Sequence, residues 1–105
     1  MVERTDYRYS IRIWTRDLDV LHALRGLSQF AQGEGSRATP WGNTKEHHWR
    51  SADQTATFRF TRPRYRDVFL KACEHTLRPD LWHEVEGTRS DNDPAQLTDR
   101  ERGRV

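Results

Sequence analysis

The chain has 105 residues, 33% apolar and 32% charged, and its 18 basic and 16 acidic side chains leave a formal net charge of +2. One domain with one modest core is expected at that length, filled largely by four Trp, four Phe and three Tyr. The near balance of charge argues against a broad phosphate-binding surface. A single cysteine, Cys73, rules out an internal disulfide and suits a reducing compartment, and no run of ~18 apolar residues is present to span a membrane.

Met1 to Asp6 has no apolar run behind its charges, so a signal peptide is not expected and a cytoplasmic protein is. Tyr7 to Ile13 then alternates: Tyr7, Tyr9, Ile11 and Ile13 face one way and Arg8, Ser10 and Arg12 the other. That is a strand with one wet face, ended by Trp14. Thr15-Arg16-Asp17 offers a capping oxygen and early negative charge for a helix. From Asp17 to Ala31 the helical spacing puts Val20, Leu21, Leu24, Leu27 and Ala31 on one side and His22, Arg25 and Gln29 opposite. Gly26 weakens this helix by roughly 1 kcal/mol relative to alanine.

Gln32 to Asn43 reads as a long loop, broken by Gly33, Gly35, Pro40 and Gly42 and carrying one large apolar residue, Trp41. Thr44 to Arg50 is expected as a second strand and Ser51 to Gln54 as a turn. A tight turn there sets Trp49 opposite Ala56, His47 opposite Phe58, and Glu46 opposite Arg59 on the far face. Thr55 to Thr61 alternates, with Ala56, Phe58 and Phe60 inward. Pro63 opens a helix whose stripe is read as Tyr65, Val68, Phe69, Ala72, Thr76 and Leu77. Arg78-Pro79-Asp80 stops it. A last strand follows from Leu81 to Glu86, with Leu81 and Val85 inward and Trp82, Glu84 and Glu86 outward. Residues 88–105 hold few apolar side chains, and their four Arg and four acids cancel. They are expected to form a disordered polar tail beyond a domain of residues 1–87.

The expected order, strand–helix–strand–strand–helix–strand, is an α+β fold: a ferredoxin-like βαββαβ plait with a four-stranded antiparallel sheet and two helices on one face. Its last strand belongs beside the first, followed by the third and the second. The resemblance is to a fold, and a fold does not specify a function.

The open sheet face is the first candidate surface. RNA-recognition domains of this topology stack bases on aromatic residues of their central strands. Here those positions hold Thr55 and Thr57, whereas Phe58 and Phe60 face the core. Arg8, Arg12 and Arg59 with Glu46 and Glu84 or Glu86 make a self-neutralising ladder rather than a phosphate track. Trp14 and Trp82 on that face suggest a cover, a second copy or a partner protein. Nucleic acid is not the expected partner, although a weak single-stranded nucleic-acid binder using Arg8, Arg12 and Arg59 is the third reading. No cofactor or metal is expected: His47 and His48 point to opposite faces of a strand, and His75 and Cys73 diverge on a helix. Cys73 reads as a small core residue. His48, Trp49 and Trp41 could line the cleft of a cofactor-free dimeric enzyme, which is the second reading. The first is a non-enzymatic binding or interaction module, homodimeric through its open face, with Arg8, Arg12, Trp14, Trp41, Glu46, His48, Arg59 and Trp82 as contact residues.

Overall fold

In the computed structural model, which describes residues 7–33 and 40–93, the elements are β1 (Tyr9–Trp14), α1 (Leu18–Ala31), α2 (Glu46–Ser51), β2 (Thr55–Phe60), α3 (Pro63–Thr76) and β3 (His83–Glu84). The expectations for residues 1–6, for 34–39 of the long loop and for 94–105 of the tail lie outside the described residues. The sheet is antiparallel and ordered β2-β1-β3. This places the last strand beside the first, with the strand Thr55–Phe60 on the first strand's other side. The register from Tyr9↔Phe60 to Trp14↔Thr55 puts Ile11 and Ile13 on the same face as Phe58 and Ala56, because directly opposed residues share a face.

That face is the core. Ile11, Ile13, Phe58 and Phe60 are fully buried against Leu21 and Leu24 of α1 and Phe69 and Cys73 of α3. The Phe69 ring lies 5.1 Å from Phe58 and 5.3 Å from Phe60, tilted against both. Asp17 caps α1, its carboxylate accepting from the backbone N–H of Asp19 at 2.9 Å and Val20 at 3.2 Å, as its place before an apolar-periodic run implies. Ser28 joins the buried stripe of α1, and Leu27 is only half-buried.

The buried side of α3 differs from the expected stripe. It consists of Arg66, Phe69, Leu70 and Cys73, while Val68 is 43% exposed. The true stripe is interrupted by an arginine, so an apolar pattern alone phases the helix wrongly. Arg66 reaches the sheet and donates to the carbonyls of Ser10 (3.2 Å) and Ser90 (3.0 Å) and to the carboxylate of Asp91 (2.8 Å).

The expected second strand is a helix. Residues 46–51 form α2, and among the described residues the sheet has three strands. Lys45-Glu46-His47-His48-Trp49-Arg50 contains no β-branched residue, and Glu46 pairs with Arg50 one turn on, at 3.5 Å, instead of with Arg59. The expected turn is the end of this helix: Ala52 N–H donates to His48 and Trp49 carbonyls and Gln54 N–H to Trp49. Asp53 and Gln54 there take φ of 55° and 61°. The outer edge of β2 is met piecemeal. Gly42 exchanges two backbone bonds with Thr57 (2.8 and 2.9 Å), Thr55 N–H donates to Ala52, and Thr61 N–H donates to the Gln32 side chain. A Cβ on Gly42 would sit 3.2 Å from that of Thr57, so glycine permits the close approach. An edge blocked in this way resists strand addition.

On the other edge, β3 sets Glu84 opposite Ile13 and His83 opposite Trp14. Glu84 therefore faces the helices and His83 the other side, while Trp82 packs against the core. This corrects the expectation that Trp82 and Glu84 face outward. Of the stretch 88–105, residues 88–93 continue along β1. Ser90 exchanges bonds with Ser10 at 2.8 and 3.1 Å, and Asp93 N–H donates to Arg8 at 2.8 Å. Gly87, at φ 75°, makes the turn between the two pairings.

Cys73 is fully buried. Burial, helped by the neighbouring Glu74 charge, pushes its thiol up to about 12. A disulfide-exchange reagent at mild alkaline pH is expected to label it only when the chain unfolds, because the thiolate is the nucleophile. Its contribution to stability is whole below the free thiol's value of 9.0 and is lost as pH climbs from there toward about 12. Cys73→Ala should remove that component of the alkaline loss. Labelling of the folded chain at a free thiol's rate would contradict the burial.

Candidate functional site

The sheet face turned away from α1 and α3 carries Ser10, Arg12 and Trp14 from β1, Thr57 and Arg59 from β2 and His83 from β3. Its two ends differ. At one end Arg59 is only 5% exposed. Its Nη1 donates to the Pro40 carbonyl at 2.7 Å, and its Nε lies 3.4 Å from the Asp93 carboxylate. Ser10 and Thr57 beside it are also buried. Arg59 is therefore not on a wet face; the expectation is corrected because the loop at Pro40 and the strap at Asp93 close over it.

At the other end Trp14 and His83 stack, ring centroids 4.8 Å apart and planes 20° from parallel. Trp14 is half-buried and His83 exposed. The Arg12 side chain is exposed next to them along β1, and Arg8, four residues earlier in the chain, is exposed as well. The aromatic pair expected from Trp14 and Trp82 is thus formed by Trp14 and His83.

The residues expected to line a cleft do not gather around one. Trp49 is 1% exposed, and its indole N–H donates to the Thr15 carbonyl at 3.1 Å. Trp41 donates to the Ser28 hydroxyl at 2.9 Å, meets Phe58 edge-on at 6.5 Å and has the Arg25 guanidinium 5.2 Å above its ring. Both are packing residues. His48 is half-buried on α2, its ring 4.0 Å from that of His47; the two are neighbours on a helix and not opposed on a strand. Among the described residues no three His, Cys, Asp or Glu side chains assemble as metal ligands would.

A groove of about 300 Å³ opens between the C-terminal half of α3 and the edge strand, lined by Leu70, Glu74, Pro79, Trp82, His83, Glu84 and Arg89. Leu70, Pro79 and Trp82 supply its apolar surface. Arg89 closes one side through two hydrogen bonds to the Glu84 carboxylate, the second at 3.3 Å. That bond, with smaller attractions to Glu84 and Asp67, strengthens the hold of Arg89 on its proton. The Trp82 indole N–H is buried and meets no acceptor among the described residues. Only Trp82 of these was expected to contact a ligand, and on the opposite face. Leu70 and Glu74 were hidden by the misphased stripe of α3.

No family model, characterised protein or solved structure matches this chain.

Proposed function

We propose that the protein is a small non-enzymatic binding module that self-associates as a homodimer through the Trp14–His83 end of its sheet face. The observation that carries this reading is the stacked, partly exposed Trp14–His83 pair beside the exposed Arg12 side chain. An aromatic anchor inside a polar rim is the composition of many protein interfaces, in which Trp, Tyr and Arg dominate the energy. The burial of Arg59 removes one of the three cations that a nucleic-acid surface would use, and the packing of Trp41 and Trp49 removes two walls of an enzymatic cleft. We read the fold as a ferredoxin-like plait whose second strand has given way to the Gly42 bridge and α2, which the β2-β1-β3 order supports. The lone, buried Cys73 suits a cytoplasmic setting.

Trp14→Ala is expected to shift the native mass from dimer to monomer with the far-ultraviolet spectrum unchanged, since Trp14 ends its strand and is only half-buried. A folded mutant that keeps the wild-type mass would remove the support for this surface.

A further inference from the structure

The groove beside α3 opens between that helix and the edge strand and shares only His83 with the Trp14–His83 surface proposed above for self-association. Its apolar floor, formed by Leu70, Pro79 and Trp82, is flanked by Glu74 on the helix and Glu84 on the strand. Arg89 is the one cation among its lining residues and is already held by Glu84. Glu74, exposed on the opposite wall, makes no ion pair among the described residues. The rim is therefore net negative, and Arg89 already displays the favoured chemistry, a guanidinium bound two-pronged to a carboxylate.

We propose that this groove docks a peptide by taking one basic side chain, the cationic head meeting Glu74 and Glu84 and the alkyl stem lying on Trp82 and Leu70. Arginine and lysine divide in this way between charged head and apolar stem, and an indole face attracts a cation. Pockets that enclose whole small ligands run from roughly 300 to 1,000 Å³. At about 300 Å³ and open to solvent, this groove suits a single side chain whose backbone stays outside.

The test follows the Trp82 indole N–H signal by heteronuclear NMR during titration with acetyl-Ala-Arg-Ala-amide at fixed ionic strength. A saturable shift is expected with this peptide and none with acetyl-Ala-Glu-Ala-amide. Glu74→Gln, a surface change that leaves the fold intact, should weaken binding by about two- to fivefold, as for an exposed ion pair. No shift with the arginine peptide at tens of millimolar, or equal shifts with both peptides, would overturn the site. Tighter binding of n-butylguanidinium than of the arginine peptide would overturn the peptide assignment.

Discussion

Trp49→Ala is expected to destabilise the protein by about 3–5 kcal/mol, the usual cost of emptying a large aromatic site. That is a large share of the roughly 5–15 kcal/mol that holds a domain together. Trp49 is the anchor that fixes α2 to the body of the protein. Its ring is 1% exposed, and its N–H satisfies the Thr15 carbonyl at the junction of β1 and α1. The same junction is held from two other directions: the Thr15 hydroxyl donates to Leu81 at 2.6 Å and the Thr15 N–H to Gln54 at 3.2 Å. Losing the indole thus leaves both a cavity and a buried acceptor without its donor. Trp49→Phe fills most of the cavity and isolates the second effect, expected at about 1–3 kcal/mol. Urea denaturation of the three proteins measures both. A loss of less than ~0.5 kcal/mol for Trp49→Ala, the range of ordinary surface changes, would mean that α2 is not docked through this side chain.

Phe69→Ala is expected to cost about 3–5 kcal/mol as well, because the ring sits between Phe58 and Phe60 with no exposed surface. The informative control is its neighbour. Val68 is 43% exposed, so Val68→Ala should change stability by no more than ~0.5 kcal/mol. The stripe read from the sequence alone buries both residues. Equal, large losses would favour that phase of α3, and a large loss confined to Phe69 favours the observed one.

Those two sites show where the sequence was legible and where it was not. Four elements, β1, α1, β2 and α3, were foreseeable because Tyr7–Ile13 and Thr55–Thr61 alternate without a break and the two helices carry sustained helical spacing. The phase of α3 was not, because Arg66 holds a position on its buried side, and an arginine inside announces itself through its partners, Ser10, Ser90 and Asp91, rather than through hydropathy. Thr44 to Arg50 has no clear period of either kind, so its reading as a strand leaned on the turn expected at Ser51 to Gln54 for its register. Trp49 was placed inside for the wrong reason. The two-residue β3 is too short for alternation to assign a face, which is why Trp82 and Glu84 were expected on the wrong side. Residues 88–93 contain no apolar side chain. Their order rests on backbone bonds to β1 and on the carboxylates of Asp91 and Asp93 beside Arg66 and Arg59. The groove at Trp82 depends on both misread features, the phase of α3 and the face of β3.

Self-association through the Trp14–His83 surface is tested most directly by sedimentation equilibrium of the wild-type chain over a wide range of concentration. The account predicts a species of twice the 12.5 kDa chain mass that dissociates on dilution. A mass of 12.5 kDa at every concentration would contradict it.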